Sequence, residues 1–107
     1  MFFKRSSVAE IDPADVRALL ARGDINLVDV REVPEQRAEH IEGAACMPLS
    51  RFDPAALKDN PKPIVLCCLS GMRSARAAQL CARAGLMVRN MRGGLAAWKA
   101  AGLPTRR

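Results

Sequence analysis

Two adjacent cysteines, Cys67 and Cys68, end a short apolar run and stand just before Arg73-Ser74 in the segment Ile64–Ser74, IVLCCLSGMRS. The run reads as a strand, Ser70-Gly71 as a tight turn, and the alanine-rich stretch after Arg73 as a helix. Backbone N–H groups of such a loop point inward and, with the helix dipole, form a cradle for an anion. The same field favours thiolate over thiol, so a cysteine here is a stronger nucleophile at neutral pH than a free one. The implied chemistry is a cysteine nucleophile acting on an anionic substrate.

The loop can be read in two registers. From Cys68, four residues (Leu69, Ser70, Gly71 and Met72) precede Arg73. From Cys67 there are five, the Cys-x5-Arg-Ser spacing by which protein tyrosine phosphatases cradle phosphate. A phosphatase or arsenate reductase built on Cys67 would also need a carboxylic acid on another loop to protonate the leaving group. Arg73 and Arg76 fall in the first turn of the expected helix, where cations oppose the dipole. Arg73 is read as an anion ligand, and Arg76 as a solvated surface cation.

Composition bounds the rest. The chain has 107 residues, half of them apolar and 26% charged, which suits one soluble domain over residues 1–107 with its core at about 8–104. No apolar run is long enough to span a bilayer, and Met1-Phe2-Phe3 meets Lys4-Arg5 at once, so neither membrane nor secretion is expected, and the location expected is cytoplasmic. The four cysteines, at 46, 67, 68 and 81, have neither disulfide-framework nor zinc spacing, and His40 is the only histidine. No metal and no cofactor is expected. The net charge of +6 attracts anions, but without tyrosine and with few other aromatics a nucleic-acid partner is not expected.

The elements that must position the thiols alternate between strand and helix. Val8–Ile11 reads as a short strand, followed by a helix with Asp12 as N-cap and Pro13 at its first position, ended by Gly23. Asn26–Val30 is a buried strand, Arg31–Glu42 a polar loop with a short helix, and Ala44–Pro48 a second short strand. Leu49–Asn60 is a weakly helical crossover, and Ile64–Cys67 the strand that carries the thiols. Helix Arg73–Ala84 has Ala77, Leu80, Cys81 and Ala84 on its apolar face. Strand Val88–Met91, a Gly93-Gly94 turn and helix Leu95–Ala101 close the chain. Short apolar strands between helices imply a parallel sheet covered on both faces.

Four segments in order resemble the single-domain form of the rhodanese (thiosulfate sulfurtransferase) family. They are LVDVRE at Leu27–Glu32, HIEGAACMPL at His40–Leu49, CLSGMRS at Cys68–Ser74 and GGLAAWKAAGLP at Gly93–Pro104. The resemblance implies an α/β three-layer fold, with about five parallel strands and helices on both faces. It assigns the nucleophile to Cys68 and the binding of a sulfur-bearing anion to the loop from Leu69 through Ser70, Gly71 and Met72 to Arg73. Asp29, Arg31 and Ser74 would support that loop, Asp29 and Arg31 by bracing it.

Cys67 is then the last strand residue, turned away from the pocket, and a small buried hydrophobe like Cys46 and Cys81. His40 is read as a structural hydrogen-bonding residue and Trp98 as an anchor of the last helix. Glu39 stands where the family commonly has glycine, and Cys46 where it has asparagine. The implied activity carries sulfane sulfur from thiosulfate or a similar small anionic donor, through a Cys68 persulfide, to cyanide, a thiol or a protein acceptor. The protein is expected to be a monomer. A binding or carrier module without useful turnover is the rival from a different class.

Overall fold

The computed structural model describes residues 8–107, so Lys4 and Arg5 lie outside the described residues. Five strands alternate with helices: β1 (Ala9–Ile11), α1 (Pro13–Ala21), β2 (Asn26–Asp29), α2 (Val33–Ala38), β3 (Ala45–Cys46), β4 (Ile64–Cys67), α3 (Met72–Arg83), β5 (Arg89–Met91) and α4 (Gly94–Ala100). Two short 3-10 turns, Leu49–Arg51 and Pro54–Leu57, make up the crossover between β3 and β4. The sheet is wholly parallel, in the order β1-β5-β4-β2-β3. From β2 the chain moves outward to β3, and from β4 it moves the other way to β5. The strand order therefore reverses between β2 and β4, and the crevice at the C-terminal ends of these strands is where open α/β sheets bind ligands.

Strand alternation divides the interior in two. Val65 and Cys67 point into a core shared with Ile11, Val16, Leu27, Met91 and Trp98, beneath α1 and α4. Ile64, Leu66 and Cys68 point into the opposite core, with Val28, Val30, Ala77, Ala78 and Cys81 beneath α3. The expected face of α3 is corrected by one position. Ser74, Ala77, Ala78 and Cys81 are buried at i, i+3, i+4 and i+7, whereas Leu80 is half-buried and Ala84 exposed. Alanines along this stripe let the helix lie close to the strand that leads into Cys68. Asp12 occupies the N-cap position of α1, but its carboxylate accepts from Arg92 Nε at 2.8 Å instead of capping the helix.

The end of β4 is held by the start of α4. Leu95 N–H donates to the Cys68 carbonyl at 2.8 Å, and Ala96 N–H to the Leu69 carbonyl at 2.9 Å. Helix N-termini carry unsatisfied donors, and here they meet the acceptors of the cysteine loop. The approach is too close for any side chain at Gly94, where a Cβ would sit 2.5 Å from both carbonyl oxygens and the φ is +63°. Gly94→Ala is therefore expected to destabilise the fold by about 2 kcal/mol or more in urea unfolding, combining left-handed strain with displacement of the loop. Gly85→Ala has comparable backbone strain and open space around it, and is expected to cost less.

Candidate active site

Cys68 is the first residue after β4 and is only 1% exposed. The chain turns over its sulfur through Gly71, whose φ of +99° is left-handed and admits glycine readily, and enters α3 at Met72. Gly71 N–H donates to Cys68 Sγ at 3.1 Å, and Ser74 donates from its N–H and its hydroxyl, each at 3.4 Å. Burial alone would raise the thiol's pKa. Hydrogen bonds from the Ser74 hydroxyl and from the N–H groups of Ser74, Gly71 and Ser70 outweigh it, and the net shift is downward. The site can thus hold a negative sulfur out of water, with donors already aimed at it.

Cys67 has the opposite surroundings. It is buried in the core under α1 and α4, and desolvation followed by the nearby Asp29 charge pushes its thiol well above the usual range. One peptide bond thus separates a donor-lined sulfur from a desolvated one. Cys81 is likewise buried with its thiol raised by desolvation, and Cys46 is half-buried beside the Arg31 carbonyl.

Of the other expected loop residues, Leu69 and Met72 turn their side chains outward, 47% and 77% exposed. Arg73 is engaged: its guanidinium donates two bonds to the Glu35 carboxylate, at 2.8 and 2.9 Å. That pairing holds Glu35 at a pKa of about 2, so the pair is charged at any physiological pH. The helix begins one residue earlier than expected, which moves Arg76 into its second turn.

Asp29 and Arg31 form a buried ion pair at 2.7 Å, but neither side chain hydrogen-bonds to the cysteine loop. Arg31 instead donates to the carbonyls of Glu39, at 2.7 Å, and Glu35, at 3.4 Å, and so secures the helix whose Glu35 holds Arg73. The bracing is indirect.

Two contributors escape a reading of the sequence. Asn90, buried on β5, donates to the Gly71 carbonyl at 3.0 Å and, 2.6 Å from the Ser74 hydroxyl, shares with Cys68 Sγ the one proton that hydroxyl can donate. Its one signal is an uncharged polar residue inside the last strand. Glu35 gives none, because its partner lies 38 positions away. His40 Nδ1 donates to the Gln36 carbonyl at 3.0 Å, and buried Trp98 donates to the Pro104 carbonyl at 2.8 Å, both structural contacts. Glu39 has an extended backbone, φ −163°, so the glycine common in the family is not required. Its carboxylate instead accepts from Lys99 and Thr105. Among the described residues no group of three or more His, Cys, Asp or Glu is placed to hold a metal, and no helix is long and apolar enough to cross a membrane.

The donor set gives a kinetic signature. With Ser74→Ala the Cys68 thiolate loses a hydroxyl donor that it shares with Asn90, so the loss falls below the ~1.5–3 kcal/mol of a full hydrogen bond to a charged group. Alkylation of Cys68 by iodoacetamide at pH 6 is therefore expected to slow several-fold, with the difference shrinking as the pH rises.

A sequence model of the rhodanese-like domain matches residues 12–101. The chain is 43% identical over 97 residues to the uncharacterised protein slr1261 of Synechocystis sp., covering 89% of this chain and 54% of that one. It thus spans about half the length of that relative. It is 31% identical over 103 residues to thiosulfate sulfurtransferase GlpE of Pseudoalteromonas translucida, covering 94% of this chain and 93% of GlpE. Among solved structures, a Rhodopseudomonas palustris protein of unknown function, described as a possible tyrosine phosphatase, superposes with a TM-score of 0.79 at 28% identity. That match covers 99% of this chain and 98% of the other. The sequence match over most of the chain, with the parallel sheet and its cysteine loop, makes this protein a member of the rhodanese-like domain family.

Proposed function

We propose that the chain is a sulfurtransferase that carries sulfane sulfur on Cys68. The observation that bears most weight is the ring of donors from Gly71 and Ser74 around Cys68 Sγ. Preorganised donors of this kind stabilise negative sulfur at each stage of the reaction. The Cys68 thiolate attacks the outer sulfur of thiosulfate. A new S–S bond forms to Cys68 as the bond to the sulfonate sulfur breaks, and sulfite leaves with the electron pair. The terminal sulfur of the resulting persulfide carries the charge. Cyanide or a thiolate then attacks that sulfur, takes it as thiocyanate or as a new persulfide, and regenerates the Cys68 thiolate.

In this reading backbone N–H groups of the Leu69–Arg73 loop receive the donor anion, with Ser74 beside them. The Arg73 guanidinium, paired with Glu35, contributes its field and fixes the mouth of the loop. The cycle uses only this chain's residues and its two substrates. Unbridged cysteines fit a reducing compartment, and we place the protein in the cytoplasm as a monomer.

A phosphatase or arsenate reductase acting through Cys67 is disfavoured, because that sulfur points into the other core and its thiol is raised by burial. A carrier without turnover shares the loading step and differs in the second.

Intact-mass measurement after thiosulfate treatment separates these readings. Wild type and Cys67→Ser are expected to gain one sulfur, and Cys68→Ser none. Cyanide should then remove the added sulfur and release thiocyanate through many turnovers. Release that stops after one turnover would favour the carrier, and no gain in any of the three would refute the sulfurtransferase.

A further inference from the structure

Acidic and basic residues are segregated along this chain. All eleven Asp and Glu lie within residues 1–59, while residues 60–107 carry nine Lys and Arg and no acid at all. Folding brings the halves together, and Glu35, Glu10, Asp12, Glu39 and Glu42 pair with Arg73, Arg92, Lys99 and Arg106. Eight cations form no ion pair among the described residues, and two of them, Arg76 and Arg83, are exposed on one helix. That helix is α3, which starts at the cysteine loop.

The same face carries apolar surface where solvent would not favour it. Three large hydrophobic residues are conspicuously exposed among the described residues, and two of them, Leu69 and Met72, belong to the cysteine loop. Met72, Arg76 and Arg83 follow one another at i, i+4 and i+11 on a single stripe, about 16 Å long at the rise of an α-helix. A groove follows that stripe, lined by Met72, Ala75, Arg76, Gln79, Leu80 and Arg83, with no carboxylate in its wall.

An adaptable methionine and a leucine at the mouth of a reactive loop, backed by uncompensated arginines, suit a protein surface. Cyanide or a small thiol would make no use of them. A nucleic acid would be expected to meet aromatic side chains for base stacking, and none lines this groove.

Building on the sulfurtransferase reading, we propose that the physiological sulfur acceptor is a protein whose cysteine thiolate is flanked by an acidic segment, and that it docks along α3. Leu69 and Met72 receive the apolar residues beside the acceptor cysteine, and Arg76 and Arg83 receive its carboxylates. The acceptor thiolate attacks the terminal sulfur of the Cys68 persulfide. The bond between that sulfur and Cys68 breaks, and the acceptor leaves as a persulfide.

The test uses two ten-residue peptides, each with one cysteine next to a leucine and four glutamates, or four lysines in their place. With thiosulfate-loaded protein at low salt, transfer to the glutamate peptide is expected to be about tenfold faster than to the lysine peptide, and the preference should fade as salt rises. The double variant Arg76→Glu/Arg83→Glu is expected to reverse the preference while leaving transfer to cyanide within about twofold.

A second readout needs no sulfur transfer and so stays separate from the sulfurtransferase reading itself. Titration of labelled protein with a serine-for-cysteine glutamate peptide should shift the amide resonances of Leu69, Met72, Arg76 and Arg83. Equal rates for the two peptides, an unchanged preference in the double variant, or shifts mapping elsewhere would overturn the proposal. Shifts of the same residues at equal strength with a single-stranded oligonucleotide of the same charge would also overturn it, in favour of a nucleic-acid acceptor.

Discussion

A negative sulfur beneath a turn of backbone is stable only where donors replace the water it has lost, and those donors must have nowhere else to point. At Cys68 this requirement is met by turning the loop's amides inward and giving its carbonyls other partners. The carbonyls of Cys68 and Leu69 accept from the first turn of α4, and the carbonyl of Gly71 accepts from Asn90. Asn90 also receives the Ser74 hydroxyl, which ties the serine's position to β5. Much of the C-terminal half, from α3 through β5 to α4, is therefore engaged in holding one short loop in one conformation.

The period-two alternation of β4 accounts for the difference between the two cysteines. Residues 67 and 68 are covalent neighbours with the same side chain, yet they face opposite sides of the sheet. On one side, desolvation and Asp29 oppose ionisation; on the other, four donors favour it. A strand shifted by one residue would exchange these roles, so the register of β4 against β2, with Asp29 opposite Cys67, fixes the chemistry as well as the packing. The buried Asp29–Arg31 pair lies at the end of the neighbouring strand, where removing one partner would leave an uncompensated charge.

Local features of the chain were readable in the sequence. The strand ends, Pro13 at a helix start, the glycines that terminate helices and the loop after Cys68 follow from residue types whose preferences act over a few positions. The turn of Cys67 away from the loop, to the other face of the sheet, follows from alternation alone. What could not be read is non-local. Arg73 carries the features of an anion ligand in its own helix, and only the fold brings Glu35 against it. Asp29 and Arg31 suggest a brace for the cysteine loop, but their bonds run to α2. Asn90 stands 22 positions after Cys68 and reaches the site through Ser74. The apolar face of α3 was misplaced because Leu80 is more hydrophobic than Ala78, whereas the space beneath the helix suits the smaller side chain.

The central claim is that this loop makes a thiolate of Cys68 and not of Cys67. Titration of the thiolate absorbance near 240 nm, compared among wild type, Cys68→Ser and Cys67→Ser, tests it most directly. The account predicts one thiolate that ionises below the range of a free cysteine in wild type and Cys67→Ser and is absent from Cys68→Ser. A first thiolate that appears only in the ordinary cysteine range, or one that vanishes with Cys67→Ser and survives Cys68→Ser, would contradict it.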